Sequence, residues 1–136
     1  MDLAKAIRKA KRVYICGNGG SAANSTHIAN DLISVGIKAH SLTADVATLT
    51  AIGNDFGYQF VFSRQLKVFG EPGDLLIALS GSGKSPNILI AVKTAKEIGM
   101  SVWTIYGSER GEEMQEAEEA QLALGHAAML WLKANP

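Results

Sequence analysis

Two glycine- and serine-rich loops, G17-N-G-G-S21 and S80-G-S-G-K-S85, each follow a short apolar run and precede a helix-forming stretch. That repetition confines the chain to alternating β and α units. The runs before them, Val13 to Cys16 and Leu75 to Leu79, show no polar alternation and read as fully buried parallel strands. Glycine lets the backbone turn sharply and come close to a ligand. The N–H groups that open the following helix face an anion, and serine hydroxyls add donors. One such loop is often only a tight turn; two in 136 residues point to a paired phosphate site.

The remaining segments fit the same alternation. Residues 2 to 11 read as a helix, 12 to 16 as a strand, 21 to 35 as a helix ending near Gly36, and 38 to 42 as a strand. Asp45 is placed to cap a short helix that runs through Ile52 and ends at Gly53. N54-D-F-G57 then forms a turn before a helix over 58 to 69. Asn54 and Asp55 are expected to make an Asx-type turn, and Arg64 an ion pair on its own helix. After the strand over 75 to 79, Ser85 and Pro86 fit an N-cap followed by proline at the first helical position, and Gly99 stops that helix. A strand over 102 to 106 and a long helix from Glu112 to Lys133 complete the chain, with Glu112, Glu113, Glu116, Glu118 and Glu119 as its acidic start. The expectation is one domain over residues 1 to 136: an α/β fold with a doubly wound parallel sheet of four to five strands, as a three-layer sandwich. In such sheets ligands bind at the carboxyl ends of strands beside the switch in strand order, where both loops lie.

Composition narrows the function classes. A hydrophobic content of 47% with 19% charged residues is ordinary for a globular domain, and thirteen basic residues balance thirteen acidic ones. Without a basic excess, nucleic acid is not the expected partner, and Lys5, Arg8, Lys9, Lys11 and Arg12 read as the wet face of an opening helix. The single Cys16 cannot form an internal disulfide, and no charged-then-apolar leader opens the chain, so a cytoplasmic location is expected. No apolar run approaches the ~20 residues of a membrane span.

His27 and Asp31 stand four residues apart, on one face of the helix that follows the first loop. That pairing makes them a candidate base, acid or metal pair. Leu122, Met129, Leu130 and Trp131 give the last helix more apolar surface than a four-stranded sheet needs, which suggests a subunit interface.

The stretches V13-YICGNGGSAANSTHIANDLI33, D45-VATLTAIGNDFG57, F62-S-R64 and L79-SGSGKSPN87, in this order, resemble the sugar isomerase (SIS) family, and within it the phosphoheptose isomerase branch. The resemblance implies a flavodoxin-like sheet, a homo-oligomer (dimer or tetramer), and aldose–ketose isomerisation of a phosphorylated ketose such as sedoheptulose 7-phosphate. Carried over by position, Ser80, Gly81, Ser82 and Ser85 hold the phosphate, while Asn18, Gly19, Gly20, Ser21 and Asp45 hold sugar hydroxyls. The resemblance also implies a metal-binding and catalytic cluster at His27, Asp31, Glu118 and His126, with Glu118 facing the substrate as well. It implies no organic cofactor; Zn²⁺ suits such a donor set. Helical spacing alone favours Glu119 over Glu118 as the residue sharing a face with His126.

The chain departs from the family pattern in three places. Asp31 stands where the isomerases have Glu, Lys84 where a small polar residue is expected, and after I105-Y-G107 the chain enters the acidic helix without the family's fifth strand. Family members also begin with an additional long helix, so the sequence describes either a compact variant or a chain lacking a segment. A non-catalytic SIS protein is the alternative function, serving as a phosphosugar sensor or as an assembly platform for a replication initiator.

Overall fold

A computed structural model describes residues 1–106 and 114–136. The start of the acidic helix at Glu112 and Glu113, and the stretch after Gly107 where a fifth strand was considered, lie outside the described residues. The chain runs α1 (Asp2–Lys9), β1 (Val13–Cys16), α2 (Gly20–Ser34), β2 (Ala39–Ser41), α3 (Val46–Asp55), a 3₁₀ turn (Tyr58–Phe60), α4 (Ser63–Phe69), β3 (Leu75–Ser80), α5 (Pro86–Ile98), β4 (Ser101–Tyr106) and α6 (Met114–Ala134). Among the described residues the strands form one parallel sheet in the order β2-β1-β3-β4. This is the doubly wound order expected from the alternation.

The two central strands are buried along their whole length, so consecutive side chains serve opposite cores. Val13, Ile15, Leu75, Ile77 and Leu79 meet Leu3 and Ile7 of α1, Ile28 and Leu32 of α2, and Ala128 and Leu132 of α6. Tyr14, Cys16, Leu76 and Ala78 meet Phe62, Leu66 of α4 and Ile88, Ala91 and Ala95 of α5. The three-layer sandwich follows from this alternation. Burial pushes the Cys16 thiol up to about 12, which leaves it an inert core residue.

Several boundaries differ from the sequence reading. The helix after Asp45 does not end at Gly53: Phe56 and Gly57 N–H groups both donate to the Ile52 carbonyl, and Gly57, at φ 113°, makes the turn instead. Asn54 and Asp55 therefore lie in the last turn of α3, where Asn54 Nδ2 donates to Asp55 Oδ1 at 3.0 Å. The expected single helix over 58 to 69 is a 3₁₀ turn followed by α4, and at the join the side-chain amide of Gln65 donates to the Val61 and Leu42 carbonyls. Arg64 lies over the Phe56 ring, 3.5 Å from its centroid, a cation–π contact in place of the expected ion pair. Leu122 and Trp131 are half-buried against the core that α1 and α2 share, and Leu130 of that group is exposed.

α2 and α6 lie side by side in the same direction at unusually close range. A Cβ on Gly125 would stand 2.5 Å from Ile28 Cγ1, so only glycine permits the approach. Ile28 is itself buried and has no room to yield. Gly125→Val is therefore expected to destabilise the fold by about 1–3 kcal/mol through overpacking, read as a lower urea midpoint at unchanged slope. A midpoint equal to wild type would mean that the helices are not in contact there.

Candidate active site

Both glycine loops meet at the carboxyl ends of β1 and β3. Asn18, Gly19, Gly20, Ser21, Ser80, Gly81, Ser82, Ser85 and Glu118 line one cavity of about 260 Å³. The first loop turns into α2 at Gly19, whose φ of 56° and ψ of −120° suit only glycine. In the second, Ser80 Oγ accepts from Gly83 N–H at 3.0 Å and Ser82 Oγ accepts from Lys84 N–H at 3.1 Å. Each hydroxyl is thus held by its oxygen, which leaves its proton to donate. Ser85 opens α5 without a side-chain capping bond, with Pro86 at the first helical position as expected. Hydroxyl protons and the positive end of a helix around one cavity form an anion site without a guanidinium.

Glu118 enters this cavity from α6. Its carboxylate lies directly against Gly20, where any side chain would collide with it. Glu119 is exposed and does not line this cavity. A buried polar seam holds Glu118 there. Asn24 Nδ2 donates to the Glu118 carbonyl at 2.8 Å and to Gln121 Oε1 at 3.1 Å, and Ser21 Oγ donates to Gln121 Oε1 at 3.2 Å. Asn24 and Gln121 are parts of the site that sequence reading missed. The available signal was a row of polar residues, Ser21, Asn24 and Ser25, on the same stripe of α2 as Ile28 and Leu32.

Two turns further along α2, His27, Asp31 and His126 bring one ligand atom each within 4.8 Å of one another. His27 Nε2 and His126 Nε2 are 2.9 Å apart, one of them donating according to tautomer. Asp31 Oδ2 lies 3.2 Å from His126 Nε2 and 3.5 Å from His27 Nε2. Those are ion-pair distances without hydrogen-bond geometry, and Asp31 Oδ2 is buried with no hydrogen-bond partner. An orphaned carboxylate oxygen facing two imidazole nitrogens is a donor set that fits a divalent cation such as Zn²⁺, with three protein ligands and room for another. Glu118 is not part of this cluster and lines the neighbouring cavity.

Asp45 does not line that cavity either. Its carboxylate caps α3, accepting from Ala47 N–H at 3.0 Å and Thr48 N–H at 3.3 Å. These bonds, that to Thr48 first, lower its pKa below the usual aspartate value. A depressed folded-state pKa means stability that is present above the unfolded value and lost as pH falls through the folded one. Asp45→Ala is accordingly expected to lower Tm at neutral pH, with the gap to wild type narrowing below pH ~4, the ordinary aspartate range. A gap independent of pH would show that the carboxylate charge does not serve the cap.

Residues 2–107 match the SIS domain family. The chain is 43% identical over 129 residues to a phosphoheptose isomerase of Campylobacter concisus, covering 90% of this chain and 68% of that protein. It is also 43% identical over 118 residues to one of Akkermansia muciniphila, covering 82% of this chain and 62% of that protein. The chain thus spans about two thirds of the length of these relatives. The solved structure of a phosphoheptose isomerase from Neisseria gonorrhoeae superposes with a TM-score of 0.89 at 32% identity, covering 97% of this chain and 81% of that one.

Proposed function

The chain belongs to the SIS domain family, and on that premise we propose that it is a sugar-phosphate isomerase that interconverts sedoheptulose 7-phosphate and an aldose heptose 7-phosphate. One observation carries the reading. The helix whose start lines the Gly/Ser cavity presents, two turns later, a carboxylate and an imidazole that converge with a second imidazole from α6. Ser80, Ser82 and Ser85 anchor the phosphate by hydroxyl donors, and the carbon chain runs along the opening of α2 past Asn18, Gly20, Ser21 and Glu118. Seven residues of helix separate Gly20 from His27, roughly 10 Å of rise, which matches a long sugar better than a short one.

Aldose–ketose isomerisation removes a proton from the carbon beside the carbonyl and returns it to the neighbouring carbon. Asp31 and His126 are the groups placed to take and return it, 3.2 Å apart on neighbouring helices. His27 fixes the tautomer of His126 through their Nε2 contact. His27, Asp31 and His126 are also the residues that would hold Zn²⁺. When bound, it supplies a Lewis acid that polarises the substrate's carbonyl and hydroxyl oxygens. The working protein is a cytoplasmic homo-oligomer, a dimer or tetramer; exposed Val46, Phe56, Tyr58 and Leu89 supply apolar surface for association. Among the described residues no helix is long and apolar enough to cross a membrane.

Incubation with sedoheptulose 7-phosphate is expected to yield the aldose, followed by NMR of the anomeric region. Absence of product both with and without added Zn²⁺ overturns the reading. Ser82→Ala is expected to weaken binding of the phosphosugar by roughly tenfold or more, the worth of one hydrogen bond to a charged group. His126→Ala is expected to weaken Zn²⁺ binding by more than about tenfold in a calorimetric titration; equal affinity in the variant removes His126 from the ligand set.

A further inference from the structure

Asn18 sits in the first glycine loop and Asn87 in the first turn of α5, immediately after the second loop. Their side chains form a reciprocal amide pair. Asn18 Nδ2 donates to Asn87 Oδ1 at 2.8 Å, and Asn87 Nδ2 donates to Asn18 Oδ1 at 2.9 Å. Tyr58, from the 3₁₀ turn, donates its hydroxyl to the same Asn18 Oδ1 at 3.0 Å. Asn87 is only 2% exposed, so this pair is a fixed strut between the loops and not a surface contact.

The bonds determine what Asn18 can offer a ligand. Both lone pairs of its carbonyl oxygen and one of its two amide hydrogens are engaged, leaving a single N–H for the cavity. Two parallel amide bonds also fix the plane in which that N–H points. We propose that Asn87 is a positioning residue: acting through Asn18 and braced by Tyr58, it sets the register between the phosphate-holding loop and the sugar-holding loop. The inference rests on the phosphosugar reading of this cavity. It assigns Asn87 control over where the carbon chain lies, not over the affinity for phosphate, because Asn87 is absent from the Gly/Ser cavity that Ser80, Ser82 and Ser85 line and faces instead the adjoining cavity of about 710 Å³ with Asn18, Tyr58 and Ser85.

The test is a double-mutant cycle with Asn87→Ala, Asn18→Ala and their combination, measuring kcat and KM with sedoheptulose 7-phosphate and, separately, competition by inorganic phosphate. Asn87→Ala is expected to lower kcat by roughly tenfold to a hundredfold, the scale of an ångström misplacement, while phosphate competition is unchanged. The double variant should be no worse than the poorer single. Tyr58→Phe removes one hydroxyl from an exposed ring, and Asn87→Asp keeps the volume while losing the donor. Both should lower kcat in the same direction, and the Tyr58→Phe effect should vanish in the Asn18→Ala background. Additive losses, unchanged kcat, or phosphate affinity falling in step with kcat overturn the proposal. If the wild-type chain turns over no sugar, the isomerase reading fails on its own. The same cycle is then read by calorimetry, where coupled loss of sedoheptulose 7-phosphate affinity at constant phosphate affinity supports the strut and uncoupled loss overturns it.

Discussion

Everything at the candidate site depends on how closely α6 lies on α2. Hydrophobic burial holds the two helices together, but burial is indifferent to an ångström of slide. The contact with least slack is Gly125 against the buried Ile28, and at the other end of the pair Gly20 lies against the Glu118 carboxylate. Between them the Ser21, Asn24 and Gln121 seam supplies directional bonds inside an otherwise apolar contact. Buried directional bonds specify geometry in proportion to how fully they are satisfied. Gln121 Nε2 has no partner within it, so the seam resists rearrangement less at that atom than elsewhere. The outcome is that His126, one residue beyond Gly125, can reach His27 at all.

The anion site illustrates a different economy of charge. The loop from Ser80 to Ser85 carries no guanidinium, and its donors are hydroxyls whose oxygens already accept from the loop's own N–H groups. Such donors need little reorganisation when an anion arrives, because their rotors are already restricted. Preorganised hydroxyls and helix polarity are suited to an anion without a guanidinium, and Lys84 is the loop's one cationic side chain.

The parts of this arrangement that are local in sequence were legible in it. The two loops, the proline-started α5, the Asp45 cap and the i, i+4 pair of His27 and Asp31 all announce themselves within a few residues, and periodicity placed the strands to within a residue or two. What was not legible is long-range. At the split of the 58 to 69 helix a Gln65 amide reaches back to Leu42 and Val61, and nothing in the local propensity of those residues signals that long-range bond. Asn87 lies inside a motif that was read for its serines; its partner is sixty-nine residues away. Gly125 reads as a weak point in a helix until the neighbour that requires it is known. Spacing along α6 favoured Glu119 over Glu118 and could not register Glu118's position, because the cavity that Glu118 enters is lined from other elements.

The same close approach bears on Asp31. A carboxylate one methylene shorter than the family's Glu reaches less far from its helix, and on spacing alone that shortfall counts against the site. Here, however, Asp31 Oδ2 already lies within 3.2 Å of His126 Nε2 and 3.5 Å of His27 Nε2. A longer side chain on the same backbone would have to fold back or push the imidazoles apart. The glycine at 125 and the shorter carboxylate are thus matched: the glycine reduces the reach required across the interface, and the carboxylate reduces the reach available. The distance between the carboxylate and the imidazoles is therefore a property of the helix pair before it is a property of the side chain.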